Sequence, residues 1–319
     1  HNVRKYRKHK KFRAKTFQHE DYVKADIDLA IVGSDEVFSL DAGVNAMMYG
    51  HVVNADHLIA YAPSFGQTDI ARIEEYHCRE LIASGLSRFE AISVRDEHAA
   101  EVIEELIGIK PIIVCDPVFL YDFSRIRTHF DSPKRKYMVV YSYDRHMTGK
   151  DEIRAIKAYA RKRDLLTVSP GTYHRWCDRN IVCNCLEWVN VLSQAEAIIT
   201  DTFHGTIVAA ITNVPMAVYV REDINSNKLN DLIRRLSIDD RQLRSITKSE
   251  IERVLDIEQD FTQINAAMST MRHEGIRFLE TQINSVESKI KHNPKTTRAN
   301  HRDGQNKSLR QLSERRQGA

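Results

Sequence analysis

Apolar runs of four or five residues recur along the chain, and each breaks off in a polar loop. Residues 28–32 (DLAIV) lead into Gly33-Ser34-Asp35-Glu36, and 58–62 (LIAYA) into Pro63-Ser64-Phe65-Gly66. Residues 91–94 (AISV) lead into Arg95-Asp96-Glu97, and 112–115 (IIVC) into Asp116-Pro117. Short unbroken apolar runs with such punctuation read as buried strands. The mixed stretches between them read as helices: 70–87, with Ile70, Ile73, Leu81 and Ile82 among charges, and 97–107. The alternation restarts at 137–141 (YMVVY), followed by a helix over 151–163, strands near 165–168 and 181–182, and a helix over 187–194. Then come the apolar run 197–200, the loop Asp201-Thr202-Phe203-His204-Gly205-Thr206, a small-residue helix through 207–211, and a strand at 216–219 after Pro215. This repetition predicts an α/β protein with parallel sheets and argues against a helical bundle or a sandwich.

Past residue 220 the spacing of Leu229, Leu232, Ile233 and Leu236 predicts another helix. Ile257, Phe261, Ile264, Met268 and Met271, continuing past Gly275 as Ile276, Leu279, Ile283, Val286 and Ile290, predict a long terminal helix with one apolar stripe. The resulting organisation is an N-terminal Rossmann-like domain over 1–120, a charged linker over 121–136, a C-terminal Rossmann-like domain over 137–256, the helix over 257–290, and a basic tail without periodicity over 291–319. A doubly wound domain begins with a strand, whereas this chain opens on a basic amphipathic stretch containing Val3, Tyr6, Phe12 and Phe17. The first domain is therefore expected to lack its opening strand.

A length of 319 residues suits two cores. Net charge is +3, but its distribution is uneven. Residues 1–15 hold eight Lys/Arg and no acid, and 287–319 hold nine against three acids, leaving 30 basic and 41 acidic residues for 16–286. The basic ends are candidates for peripheral contact with an anionic membrane surface. No nucleic-acid module is legible, so no nucleic-acid partner is expected. No run approaches the ~20 apolar residues of a membrane span, and the five scattered cysteines suit a reducing compartment, so a cytoplasmic protein is expected, with the inner face of the membrane as a site of contact. Cys177, Cys183 and Cys185 match no standard zinc spacing, and no metal is expected.

The candidate chemistry lies where these strands end. Ligands of open α/β sheets bind beyond the carboxyl ends of the strands, which is where the loop 201–206 falls. It holds an acid, two hydroxyls and an imidazole, and Gly205 and the helix start behind it favour an anion. Asp201 is placed either to orient His204 or to cap the following helix. Arg221, Ser226, Asn227 and Lys228 occupy the next such edge, and Ser34, Asp35, Glu36 and Ser64 the corresponding loops of the first domain.

In order along the chain, VGSDEVF (32–38), APSFG (62–66), SVRD (93–96), DPVFL (116–120), EW (187–188), TDTFHG (200–205) and SNKL (226–229) resemble the polysaccharide pyruvyl transferase family. The ordered set spans about residues 4–245. Phe38 stands where the family commonly has Trp, Lys228 where it has Arg, and Thr202 where some relatives have Arg. The resemblance implies two Rossmann-like domains facing a cleft, as in the GT-B architecture. It also implies transfer of pyruvyl from phosphoenolpyruvate, as co-substrate and with no other cofactor, to a sugar diol as a cyclic ketal in exopolysaccharide biosynthesis. Under it His204, Asp201 and Glu36 are the catalytic candidates. Thr202, Gly205, Thr206, Lys228, Arg221, Ser226 and Asn227 would bind the donor; Ser34, Asp35 and Ser64 would bind a sugar or lipid-linked saccharide acceptor. Two other classes stand beside this: a GT-B-type nucleotide-sugar glycosyltransferase or epimerase, and a non-catalytic glycan- or protein-binding member. The stripe of the terminal helix is expected to pack on the chain's own body; the alternative is a contact between chains of a homo-oligomer.

Overall fold

The structure is a computed structural model, and it describes residues 2–16, 27–123, 133–221 and 226–292. It divides into two compact units. One comprises residues 19–117 and 272–319, the other 1–18 and 118–271. The first helix, α1 (Asn2–Thr16), therefore groups with the second half of the chain and not with the sheet that follows it in sequence. The break at 117/118 falls just ahead of the expected linker, of which 124–132 lie outside the described residues.

The unit built around residues 19–117 holds β1 (Ile27–Val32), β2 (Ala55–Ala60), α2 (Ile70–Glu75), α3 (Arg79–Leu86), β3 (Ala91–Val94), α4 (Glu97–Ile107) and β4 (Ile112–Ile113). Its sheet is parallel in the order β1-β2-β3-β4. The helix read over 70–87 is two helices. His77 between them takes a left-handed φ of 51°, and the Asp69 side chain caps α2 on the Arg72 N–H. Phe38 stacks on Tyr49 at 5.2 Å inside the core, both fully buried, so the family's aromatic position serves packing here.

The other unit holds β5 (Tyr137–Tyr141), α5 (Lys150–Lys162), β6 (Leu166–Pro170), β7 (Arg179–Ile181), α6 (Cys185–Ser193), β8 (Ala197–Thr200), α7 (Phe203–Ile211), β9 (Met216–Tyr219), α8 (Ser226–Leu236), β10 (Gln242–Leu243) and α9 (Lys248–Leu255). All six strands are parallel, in the order β10-β9-β8-β5-β6-β7. β5 and β8 lie at the centre and are buried almost throughout, as strands covered on both faces must be. From β5 the chain builds outward through β6 and β7, then returns to the other side of β5 as β8. The order therefore reverses between β5 and β8, the topological switch point where open sheets bind ligands. β10 and α9 were not read from the sequence; β10 is two residues long, and α9 adds Ile251, Val254 and Leu255 to the core.

The terminal helix α10 (Thr262–His292) starts five residues later than expected. The Asp260 carboxylate accepts the Thr262 N–H at its start, and Ile257 ahead of it is exposed. Ile264, Met268 and Met271 are buried as the stripe predicts. Beyond Gly275, Val286 is buried as the stripe predicts and Leu279 and Ile290 are partly buried, but Ile276 and Ile283 are exposed and Phe278, outside the stripe, is buried in their place. The tail from 293 lies outside the described residues. Among the described residues no helix is long and apolar enough to cross a membrane.

Candidate functional site

At the switch point the loop after β5 meets the loop after β8. Thr200 pairs in register with Tyr141, so Ser142 and Asp201 emerge side by side. Asp201 is buried, and one carboxylate oxygen, Oδ2, accepts from Ser142 Oγ (3.1 Å), from His146 Nδ1 (2.9 Å) and from Arg221 Nε (2.7 Å). Arg221, arriving from the end of β9, also reaches Glu152 of α5 at 3.2 Å and lies over the Tyr219 ring. Burial lowers the pKa of this guanidinium, but Asp201 and Glu152 more than offset it, and the net shift is upward. Side chains from the ends of β5 and β9 thus converge on a single buried carboxylate at the end of β8, with Glu152 of α5 behind the arginine. The other Asp201 oxygen, Oδ1, is buried without a partner among the described residues.

Beside this cluster, in the loop after β6, His174 is 1% exposed. Among the described residues neither ring nitrogen has a partner of good hydrogen-bond geometry, although the Ser142 backbone lies close to the ring. Burial lowers its pKa below the ordinary histidine value, opposed by the nearby backbone of Ser142 and by Asp144 and Asp201. A buried acceptor and a buried imidazole without good partners are costly in a dry interior, which makes this edge the most polar place at the switch point to look for a ligand.

The loop 201–206 is organised by Thr202 and not, as one reading had it, by Asp201. Thr202 is the N-cap of α7: its Oγ1 accepts the Gly205 N–H at 3.1 Å and lies 2.9 Å from Thr200 Oγ1. The Thr206 hydroxyl donates to the Thr202 carbonyl at 3.0 Å and is fully buried. Gly205 is required by packing, since a Cβ there would sit 2.4 Å from Thr200 Oγ1 and 2.6 Å from Thr202 Oγ1. Of the seven residues named as donor contacts, Thr202, Gly205 and Thr206 therefore have structural partners at this loop. His204 occupies the first turn of α7, half-buried, with its ring edge-to-face on Phe203 at 5.5 Å. Asp201 Oδ2 is taken by Ser142, His146 and Arg221, and Oδ1 bonds to no described residue, so Asp201 does not orient His204 by a direct bond. Lys228 is half-buried in the first turn of α8; the side chains of Ser226 and Asn227 lie outside the described residues.

In the other unit a second cluster forms where β1, β3 and β4 end. Arg95, 1% exposed at its side chain, donates to Asp35 Oδ1 and to Asp116 Oδ2, each at 3.1 Å, and Ser34 Oγ donates to Asp116 Oδ2 at 3.3 Å. Asp35 has a left-handed φ of 77°, and its exposed carboxylate also accepts the Glu36 N–H. Glu36 packs against Gly66, where a Cβ would meet its Cδ at 3.0 Å. The segment 35–38 is a turn and does not start a helix, so neither acid is a helix cap. Ser64 is buried and its hydroxyl accepts the Gly66 N–H, which makes it a turn residue.

The sequence reading singled out the loop after β8 but not the equivalent loop after β5. Ser142, His146 and, on the helix that follows, Glu152 were missed for that reason, and His174, in the loop after β6, was missed likewise. The available signal was the same one: 137–141 is a buried strand, and residues beyond its carboxyl end face the site. Cys177 and Cys183 are buried thiols pushed up to about 12 by burial. Among the described residues no cluster of His, Cys, Asp and Glu could hold a metal ion.

A sequence model of the polysaccharide pyruvyl transferase family matches residues 1–223. The chain belongs to this family of transferases. No curated protein matches it. Among solved structures it resembles a protein of Listeria monocytogenes provisionally named a UDP-N-acetylglucosamine 2-epimerase, at 12% identity and a TM-score of 0.51, covering 90% of this chain and 79% of that one. It also resembles the UDP-GlcNAc 2-epimerase of Methanocaldococcus jannaschii (14%, TM-score 0.49, covering 85% and 78%) and a glycotransferase of kitacinnamycin (14%, 0.48, covering 82% and 76%). The first likeness shows the fold: two Rossmann-like units of the GT-B class.

Proposed function

We propose that this chain transfers the pyruvyl group of phosphoenolpyruvate to two hydroxyls of a sugar, free or lipid-linked, forming a cyclic ketal for a surface polysaccharide in the cytoplasm. The observation that carries the reading is His204 in the first turn of a helix at the switch point of a parallel sheet, in a chain of this family. The reaction breaks the C2–O bond to phosphate, forms two C2–O bonds to the acceptor, and adds a proton to the methylene carbon, which becomes methyl. The two acceptor hydroxyls release two protons, one matching that carbon and the other leaving with phosphate.

An imidazole near neutral pH can deliver the first of these, and His204 is the candidate acid. Asp201 is a positioning residue, holding His146 and Arg221 at the same edge. Arg221 and Lys228 supply positive charge suited to the phosphate and carboxylate of the donor, and the Thr202-capped start of α7 adds its dipole. Ser34, Asp35 and Glu36 are the candidates for acceptor recognition and for the base.

Likeness to nucleotide-sugar enzymes at 12–14% identity is a likeness of fold and carries no chemistry. The test is incubation of the full chain with phosphoenolpyruvate and a panel of hexosides, and separately with nucleotide sugars. Acceptor-dependent phosphate release supports the proposal. Nucleotide release, or no turnover and no donor binding with either set, overturns it.

A further inference from the structure

Helix α1 carries its charge on a face that the fold does not use. Successive positions turn by about 100°, which gathers Lys5, Lys8, His9 and Phe12 on one side. Those four are partly covered, and Lys8 fixes the helix to its own unit by an ion pair with Glu187 at 2.5 Å and a bond to the Val182 carbonyl at 3.3 Å. The opposite side presents Val3, Tyr6, Arg7, Lys10, Lys11 and Arg13, all exposed. Tyr6 is 67% exposed and Val3 65%. The helix contains no acid, whereas residues 16–286 carry 41 acidic against 30 basic residues.

That segregation has a physical consequence. The acidic body is repelled by a negative surface, while the two basic ends are attracted to it, and of these α1 is the one that adds exposed apolar side chains to its cations in a defined helix. A purely electrostatic contact needs only the cations; an exposed aromatic and an aliphatic side chain beside them add groups that settle at the headgroup level of a bilayer. We propose that the outer face of α1 docks this protein on anionic lipid. The docking does not depend on the transfer chemistry proposed above.

The experiment is co-sedimentation of the full chain with vesicles of phosphatidylcholine alone and of phosphatidylcholine with phosphatidylglycerol, at low and high salt. Binding is expected only to the phosphatidylglycerol vesicles and is expected to weaken as salt screens the charges. Arg7→Glu, Lys10→Glu and Lys11→Glu together should weaken it by at least about 100-fold, from the contribution of each cation near such a surface. Tyr6→Ser should weaken it less and leave its salt dependence unchanged. A parallel variant reversing Arg310, Arg315 and Arg316 separates α1 from the tail: retained binding supports the proposal, and loss of binding there but not in the α1 variant overturns it. Equal binding to neutral vesicles, or binding to a single-stranded oligonucleotide but not to vesicles, also overturns it. Circular dichroism of the variants confirms that the fold is intact.

Discussion

His146 and Asp201 are joined across neighbouring strands, Nδ1 to Oδ2 at 2.9 Å, and Arg221 reaches the same oxygen at 2.7 Å. The arginine side chain is mostly buried and its closer carboxylate is Asp201, so removing that negative charge leaves a guanidinium facing a neutral amide, with the part-exposed Glu152 at 3.2 Å as its remaining charge partner. Breaking a buried pair from one side costs about 3 kcal/mol or more. Asp201→Asn is expected to lower stability by roughly that amount in urea unfolding. An unchanged midpoint would mean that the pair is not a structural clamp.

His174 gives the stability a pH dependence. Its folded pKa is below 6.5, so the unfolded chain binds more protons than the folded one between the two values. The stabilisation is complete above the unfolded value, falls as pH drops from about 6.5 toward the folded pKa, and changes no further below it. His174→Asn should flatten the unfolding free energy across that interval. If wild type and variant trace parallel curves there, the burial of this imidazole is not what couples folding to protons.

Gly205→Ala tests the packing of the loop that carries His204. The added methyl would collide with Thr200 Oγ1 and Thr202 Oγ1, the two hydroxyls that form the cap of α7. Overpacking costs about 1–3 kcal/mol and a lost threonine cap about another 1. The expected result is a clear drop in thermal midpoint, with Thr202→Ala falling by less than Gly205→Ala. The reverse order would place the constraint in the cap alone.

Most of the strand ladder was legible because buried parallel strands are short apolar runs ending in polar residues. Residues 91–94 and 197–200 are strands with the expected bounds, and 137–141 likewise. The site was legible only in part. Periodicity locates a strand end, but it does not say which distant strand lies beside it, and the partnership of His146 with Asp201 spans 55 positions. Thr202 and Thr206 look like ligand contacts in a linear reading because hydroxyls suit both anions and caps; three-dimensional geometry assigns them to the cap. Past Gly275 the terminal stripe held at Val286 but not at Ile276 and Ile283, which are exposed, because a 4-3 count through a small residue does not tell which side of the helix is covered next.

Arg95 is the corresponding test in the other unit. It is the buried cation between Asp35 and Asp116, and Asp116 is itself buried. Arg95→Met keeps volume but leaves the Asp116 carboxylate without its charge partner, and about 3–5 kcal/mol of destabilisation is expected from chemical denaturation. Arg95→Met with Asp116→Asn should recover part of it, because the unpaired charge is then gone. Failure of the double variant to recover anything would show that the packing of the arginine, not its charge, is what matters.

His204→Gln separates acid catalysis from donor binding. The residue stands in the first turn of α7, while the cap, the buried glycine and the Asp201 cluster are built from other side chains, so the loop should survive its replacement. Loss of a proton-transfer group lowers turnover by about 10²–10⁴-fold, whereas loss of a binding contact mainly raises KM. His204→Gln is therefore expected to fold, to bind phosphoenolpyruvate with nearly wild-type affinity in a calorimetric titration, and to lose acceptor-dependent phosphate release by about that factor. A histidine that only contacted the donor would instead show weakened calorimetric binding with turnover preserved at saturation. A folded His204→Gln variant that turns over at the wild-type rate would remove this imidazole from the mechanism and leave His146, held by Asp201 at the same edge, as the group to test next.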